Sequence, residues 1–391
     1  MIAARRALMS IAHPLALLLL LALPGPAAAS GQTTAPESFE SSARRAQIAR
    51  DAGRDAEAIA AYRDGLALRP AWEEGLWYLG TLLYQSGKTV EADDTFARFL
   101  ELQPRAGAGW VLRGLCAFAA ADYKTAAERL HRGLGLGLGG NAELEAAGRL
   151  RLALALVKTY QFELAIQPLT LLARTVPDKP EVIDAVGLAF VRLALLPSEI
   201  PEARRDLVRK TGQAGVYHLA ERGSDADRAY KELVAAYPLE PWLHYAQGVF
   251  LLRTDSERGL EALHRELQIN PGNVMACLSI AFEHLQLRQY VEARTVAERA
   301  VELSPTLFAT HHALGQALTE LGEVDRAIVE LQTAVRLAPE SAQGHFALAR
   351  AYARAGREAD AARERAEFTR LDKERAAASG STPRTPGEVR P

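Results

Sequence analysis

Residues 305–339 read PTLFATHHALGQALTELGEVDRAIVELQTAVRLAP. The two prolines that bound this stretch are 34 residues apart, and the same interval separates Pro271 from Pro305 and Pro70 from Pro104. Each proline closes one segment, because it cannot continue the helix that ends just before it. A fixed period of this length is typical of stacked helix–turn–helix repeats.

Within each repeat unit, particular residue types stand at fixed positions. If the closing proline is placed at position 32, the ninth unit begins at Phe308. Small residues at positions 8 and 20, here Gly315 and Ala327, let the two helices of a unit approach. Larger apolar residues fill the space beside them, and Gly322 at position 15 permits a left-handed end to the first helix. The second unit repeats this order with Gly80, Ala92 and Gly87, and the tenth with Ala349, Ala361 and Gly356.

This pattern resembles the tetratricopeptide repeat (TPR) family from about residue 39 to about residue 372. The resemblance implies an all-α fold, namely a right-handed α-solenoid of about ten stacked helix–turn–helix units. In such an array each unit packs only on its neighbours, so the core grows along one direction.

The repeat pattern breaks near residues 195–201, where Pro197 and Pro201 preclude a continuous helix. We therefore expect an N-terminal sub-array over residues 39–195, a bend or loop over 196–206 and a C-terminal sub-array over 207–372. Residues 373–391 are rich in Ser, Thr, Pro and Gly towards their end and are predicted to be a disordered tail.

The N-terminus has the order of residues found in export signals. Arg5 and Arg6 precede the apolar run Leu15–Leu23, and small residues lead to Ala29. The run is too short to span a bilayer comfortably. We expect residues 1–29 to be a cleaved signal peptide, residues 30–38 a linker, and the mature chain an exported protein, periplasmic or secreted, without a transmembrane span. Retention of the segment as a membrane anchor is the alternative.

Charge and cysteine content exclude some classes of function. The formal net charge of −2 disfavours a general nucleic-acid binder, which usually carries a basic stripe. The two cysteines, Cys116 and Cys277, cannot supply a zinc or iron–sulfur pattern. They fall in the third and eighth units, too far apart for a disulfide, so both are expected to be buried small apolar residues.

No motif predicts catalysis, a metal site or a cofactor. Gly135, Gly137 and Gly140 formally match GxGxxG, but they close a second helix instead of following a strand, which favours an inter-repeat turn. His244, His311 and His345 share position 4, yet successive helices place such side chains too far apart for one tetrahedral ion. We predict that the chain is not an enzyme.

The resemblance also implies a ligand groove. In TPR proteins the concave surface is lined by first-helix residues, mainly at positions 2, 5, 9, 12 and 13. Carried onto this sequence, these positions select Trp77, Tyr84, Phe118, Trp242, Tyr245, Phe282, His312 and Arg350. Rigid aromatic anchors suit an extended peptide or an amphipathic helix. The alternative is that some of these side chains simply pack between adjacent units.

The leading functional hypothesis is a non-enzymatic protein–protein interaction scaffold of the bacterial cell envelope, with a protein or peptide ligand in this groove. An alternative is an accessory protein in envelope polysaccharide export or modification, because aromatic side chains also suit sugar rings. A third hypothesis, the repeat arm of a glycosyltransferase, is disfavoured because the repeats occupy nearly all of the mature chain. The sequence does not identify the ligand.

Overall fold

The computed structural model describes residues 38–379, so the predicted signal peptide and the end of the predicted tail lie outside the described residues. Every regular element in this range is helical. The α-helices are α1 (Phe39–Asp51), α2 (Asp55–Leu68), α3 (Glu73–Gln85), α4 (Thr89–Leu102), α5 (Gly107–Ala119), α6 (Tyr123–Leu136), α7 (Ala142–Lys158), α8 (Phe162–Thr175), α9 (Pro180–Phe190), α10 (Glu202–Leu219), α11 (Gly223–Ala236), α12 (Leu243–Leu251), α13 (Ser256–Ile269), α14 (Val274–Gln286), α15 (Tyr290–Leu303), α16 (Phe308–Leu321), α17 (Val324–Leu337), α18 (Ala342–Arg354) and α19 (Glu358–Ser379).

The chain divides into two compact units, one ending at Arg69 and the other beginning at Pro70. In the first, α1 packs against α2. In the second, α3–α19 form an α-solenoid in which consecutive helices pack on one another. The predicted all-α architecture and the helix–turn–helix pairing are therefore confirmed.

Small residues set the distance between paired helices, as the sequence predicts. A Cβ added at Gly315 on α16 would lie 2.4 Å from Leu331 Cγ on α17, closer than real Cβ atoms come. Leu331 is fully buried at this contact. Position 8 must therefore stay small where the residue at position 24 is large.

The carbonyl oxygen of a closing proline accepts a hydrogen bond from the next unit. Trp110 Nε1 donates to Pro104 over 3.0 Å. Because a carbonyl only accepts, the Nε2 atom of His311 must carry the proton that it shares with Pro305 over 2.8 Å. The same role falls to His244 on Pro238, His345 on Pro339, Arg98 on Pro70 and Arg299 on Pro271. The position-4 histidines are thus structural donors.

In most units the turn between the two helices contains one left-handed residue, whereas the turn between α12 and α13 in the seventh unit contains none. Gly87, Gly322 and Gly356, predicted for this conformation, have φ of 75°, 80° and 71°. Other units place a residue with a side chain at the same position 15, with φ of 59–60°: Ala121, Tyr160, Glu221 and Arg288. The turn is therefore a property of the repeat, and these four residues adopt it against their intrinsic preference.

The fifth unit lacks its second helix. Its first helix, α9, ends at Phe190, and a 3-10 turn at Pro197–Glu199 is the only helical element before α10 begins at Glu202. The predicted bend at 196–206 is thus displaced, and the helix predicted to resume at 207 starts just after Pro201. Proline fits immediately before a first helical turn, which explains the earlier start.

Helix α10 serves two units. Its first half takes the place of the missing second helix against α9, where a Cβ at Gly187 would lie 2.0 Å from the carbonyl oxygen of Val208. A Cβ at Gly212 would equally lie 2.0 Å from the carbonyl oxygen of Ile183. Its second half packs against α11 as an ordinary first helix.

The last helix extends beyond its predicted end, and both cysteines are buried. Helix α19 runs to Ser379, past residue 372, so the first residues of the predicted disordered tail are helical. Cys116 and Cys277 are both free and buried, as predicted. Burial raises the pKa of the Cys116 thiol to about 12, which keeps it protonated.

Replacing Ala121 by glycine should stabilise the protein. Ala121 has a φ of 59° and is exposed, so the change removes left-handed strain without opening a cavity. We expect a gain of about 0.5–1 kcal/mol, because the strain of roughly 1–2 kcal/mol exceeds the extra chain entropy of glycine. Urea denaturation followed by circular dichroism measures this gain.

The matched control is Gly87→Ala, which introduces the same strain at the same position of another unit. It should destabilise the protein by about 1 kcal/mol. Destabilisation by Ala121→Gly would contradict this account of the turn.

Candidate ligand-binding face

We call the first-helix residues at positions 2, 5, 9, 12 and 13 the first-helix face. The structure separates the predicted ligand residues on this face into three local clusters and two residues outside them, Arg350 and Trp77. None of the aromatic candidates is fully exposed. These aromatic side chains therefore pack against their neighbours, and most of them also keep part of their surface accessible to solvent.

The N-terminal cluster consists of Tyr84, Phe118, Tyr123, Arg151 and Lys158, contributed by α3, α5, α6 and α7. The rings of Phe118 and Tyr123 meet edge to face with centroids 5.3 Å apart. The Arg151 guanidinium lies 5.3 Å from the Phe118 ring, and Lys158 Nζ lies 5.5 Å from the Tyr123 ring. Burial raises the pKa of Tyr84, and the nearby Arg151 opposes that rise.

The N-terminal cluster carries an uncompensated positive charge. Lys158 forms an ion pair of 2.9 Å with Glu199 at the end of the 3-10 turn that precedes α10. Arg151 is half-buried and forms no ion pair within residues 38–379; it contacts the Phe118 ring instead. A half-buried cation beside an aromatic ring attracts a carboxylate more strongly than a fully solvated one does.

The central cluster consists of Phe162, Glu163, Arg192, Trp242 and Tyr245. Arg192, which follows α9, lies 3.8 Å from the Trp242 ring and 5.4 Å from the Phe162 ring. It also pairs with Glu163, while Trp242 and Tyr245 meet edge to face at 5.6 Å. Burial is the main cause of the raised pKa of Tyr245. This cluster joins α8, α9 and α12 where the second helix is missing.

Trp242 is held in place by its backbone. Its φ of 74° is left-handed, and its N–H donates to both carboxylate oxygens of Glu266, at 2.9 and 3.0 Å. Glu266 is fully buried and also accepts from Asn273 Nδ2 over 3.0 Å. The carboxylate caps the N-terminus of α12, where the helix dipole favours negative charge. The backbone of Trp242 therefore has a structural role at the start of α12.

The C-terminal cluster consists of Phe282, Phe308, His312 and Gln316. The His312 ring stacks on Phe308 with centroids 5.0 Å apart and planes at 19°, and its centroid lies 6.3 Å from that of Phe282. Gln316 Nε2 lies 3.2 Å from His312 Nε2. Since an amide NH₂ group only donates, that ring nitrogen is the acceptor. Burial lowers the pKa of His312 to about 4, so the ring is neutral.

Arg350 lies on the first helix of the last unit and is exposed. It shares the carboxylate of Glu320 with Arg354, whose Nη2 lies 2.7 Å from that carboxylate. Two guanidinium groups on one carboxylate leave a net positive charge. This end of the first-helix face is therefore polar and basic.

Trp77 is the aromatic candidate that lies outside these clusters. Its ring lies 5.9 Å from Phe96 and 5.3 Å from Phe99, both on α4 of the same unit. The side chain thus packs between the two helices of its own unit. For Trp77, packing describes the contacts better than a ligand role.

Sequence reasoning missed two cations that shape the face. Arg151 stands at position 6, outside the family's groove positions, and no sequence signal selects it. Arg192 stands at position 13 of the fifth unit, where the register could have selected it. Tyr123 also escaped notice because it begins a second helix.

Between residues 38 and 379, no group of three or more His, Cys, Asp or Glu side chains could hold a metal ion. Over the same part of the chain, no helix is long and apolar enough to cross a membrane.

Comparisons with known proteins identify the repeats. A family model described as tetratricopeptide repeat matches residues 79–132, and one described as TPR repeat matches residues 315–356. The first match covers parts of the second and third units, and the second match covers parts of the ninth and tenth. No curated protein matches the chain.

Solved structures of MamA proteins match part of the chain. MamA AMB-1 is 27% identical and covers 40% of this chain and 94% of its own, with a TM-score of 0.37. MamA 41-end from Desulfovibrio magneticus RS-1 is 23% identical and covers 42% of this chain and 94% of its own, with a TM-score of 0.40.

Replacing His312 by phenylalanine should flatten the acid dependence of stability. The folded pKa of about 4 lies below the ordinary 6.5, so the unfolded chain binds the proton first as the pH falls. The stabilisation is complete above the ordinary value and is lost as the pH falls towards the folded one. Urea denaturation of both proteins at several pH values between neutrality and the folded pKa measures the difference.

The loss attributable to His312 is on the order of 3 kcal/mol. Phe308→Leu is the matched control, because it disturbs the same stack without removing a titrating group. It should shift stability by a similar amount at every pH. An unchanged pH dependence in His312→Phe would contradict the assignment of a neutral, buried ring.

Proposed function

Because this chain is a tetratricopeptide-repeat protein, we propose that it is a non-enzymatic scaffold that binds an extended peptide or an amphipathic helix along its first-helix face. TPR repeats support a role in protein–protein interaction. The position of the ligand on this face is proposed from the N-terminal cluster. There, half-buried aromatic rings lie beside Arg151, which forms no ion pair within residues 38–379.

The chemistry of the face favours one kind of ligand. Phe118 and Tyr84 offer apolar contact at low conformational cost, and Arg151 offers a charge for a carboxylate. At the other end, Arg350 and Arg354 outnumber Glu320. A segment with aliphatic or aromatic anchors and acidic residues between them fits both ends.

The ring contacts favour a peptide over a polysaccharide. Sugars stack on open aromatic faces, but Arg151 lies by the Phe118 ring and Arg192 covers one face of Trp242 at 3.8 Å. Phe118 also meets Tyr123 edge to face, and Trp242 meets Tyr245 in the same way. Side-chain anchors can enter between such groups more readily than a flat sugar ring can.

Selection of peptides from a random display library on the purified protein tests this proposal. We expect enriched sequences to carry a carboxylate next to apolar anchors. Arg151→Glu should weaken their binding at least about tenfold, because it replaces attraction by repulsion at a half-buried position. Fluorescence anisotropy of a labelled peptide measures the change.

The matched control is Arg228→Glu, an exposed charge reversal on the second helix α11. It should leave affinity unchanged. If no peptide is enriched, or if Arg151→Glu and Phe118→Ala bind as the parent does, peptide binding on this face is wrong. Retention of envelope glycans without any peptide would support the polysaccharide role instead.

We further propose that the protein acts in the cell envelope, on the basis of the order of residues 1–29. Fusion of residues 1–38 to alkaline phosphatase, which needs disulfides and an oxidising compartment, should give an active enzyme. Deletion of Leu15–Leu23 should abolish that activity. Activity that survives the deletion, or an inactive parent fusion, would contradict export.

A further inference from the structure

The stretch between α9 and α10 is tied at both ends to the first-helix face. We define the linking segment as residues 193–199, which read LALLPSE. Just before it, Arg192 lies 3.8 Å from the Trp242 ring. At its end, the Glu199 carboxylate lies 2.9 Å from Lys158 Nζ. Trp242 and Lys158 stand at positions 2 and 13 of their units, so both attachments are made to residues of the first-helix face.

Glu199 presents a fixed, ionised carboxylate to Lys158. Its Oε2 atom accepts a hydrogen bond from Lys158 Nζ over 2.9 Å and another from the N–H of Leu196 over 2.7 Å. These two donors lower the pKa of Glu199, with Lys158 as the main cause. The Lys158 side chain is only 19% exposed, whereas that of Glu199 is 40% exposed. Glu199 thus occupies the place at which an acid from outside the chain would meet Lys158.

The linking segment has the composition proposed above for the ligand. Leu193, Leu195 and Leu196 are half-buried aliphatic side chains, and Glu199 is the only charged residue of the segment. Aliphatic anchors near a carboxylate are the features that the N-terminal cluster favours. The chain therefore carries a ligand-like segment beside its own candidate site.

The two cations of the N-terminal cluster differ in what covers them. Arg151 lies 5.3 Å from the Phe118 ring and forms no ion pair within residues 38–379. Lys158 lies 5.5 Å from the Tyr123 ring and is paired with Glu199. A ligand carboxylate that approaches these rings therefore meets one open cation and one that the chain already occupies.

We propose, as an extension that rests on the proposed function, that the linking segment competes with the peptide ligand for the first-helix face. An acidic peptide binds by replacing the Glu199 carboxylate on Lys158. Because Glu199 is tethered close to Lys158, it competes at a high effective concentration. Exposed ion pairs are weak, however, so a peptide that also contacts Arg151 and the aromatic rings displaces it. Release of Glu199 is therefore part of the binding reaction and lowers the apparent affinity of the parental protein.

Removal of the competing carboxylate tests this exchange. The probe is a fluorescein-labelled acidic peptide enriched on the parental protein from the random display library. Glu199→Gln should tighten its binding about fivefold, because Lys158 is then free to pair with the carboxylate of the peptide. Glutamine keeps an oxygen that accepts from the Leu196 N–H, so the 3-10 turn is retained. Fluorescence anisotropy measures the affinity of each protein.

The matched control is Glu202→Gln, which removes the same charge three residues away. The Glu202 side chain is 90% exposed and pairs with Arg205 on its own helix, α10. This variant should leave the affinity unchanged. Circular dichroism should show the same helix content in every variant.

Lys158→Gln identifies the cation at which the exchange takes place. In that background Glu199→Gln should change the affinity by less than about twofold, because the two carboxylates no longer share a partner. Equal affinities of the parental protein and Glu199→Gln would overturn the exchange and leave the proposed function intact. So would a fivefold gain that persists in the Lys158→Gln background, or one that Glu202→Gln shares. Failure of library peptides to bind both the parental protein and Glu199→Gln would overturn the proposed function together with the exchange.

Discussion

At six boundaries between repeats, the carbonyl oxygen of the closing proline accepts a hydrogen bond from the unit that follows it, and this bond constrains how the chain enters that unit. The closing proline lies beyond the end of the second helix, so its carbonyl oxygen has no intrahelical donor and needs one from elsewhere. Trp110 and His311 reach Pro104 and Pro305 from position 4, whereas Arg299 reaches Pro271 from position 26. In these units the acceptor is always the carbonyl oxygen of the closing proline, whereas the donor differs in residue type and in position.

Sequence periodicity predicts what repeats in the structure. The spacing of prolines, the small residue at position 8 and glycine at position 15 specify helix pairs and left-handed turns, and Gly315 and Gly322 show both. The role of His311 was not predictable, because the same imidazole could pack, bind metal or donate, and the acceptor lies in the preceding turn. The start of α10 was also missed, since Pro201 stops one helix and equally well precedes another.

The candidate site was predictable only in part, for a similar reason. Family positions select Tyr84 and Phe118, which the structure places at the surface beside a cation. They also select Trp77, whose ring packs within its own unit. Whether a face residue meets solvent or a neighbouring helix depends on side-chain lengths in the adjacent units. Arg151 is the opposite case. Position 6 is not a groove position in the family, but the long side chain of Arg151 reaches the Phe118 ring.

The shared helix α10 changes how the array would come apart. In a regular array, stability is a sum of unit and nearest-neighbour terms, so a weak unit is a natural point of fracture. Here the incomplete fifth unit uses the same helix as the sixth, through backbone contacts at Gly187 and Gly212. Unfolding of either unit removes a packing surface from the other. The interruption of the sequence pattern is thus a point of high cooperativity, and under force or denaturant the fifth and sixth units should melt as one.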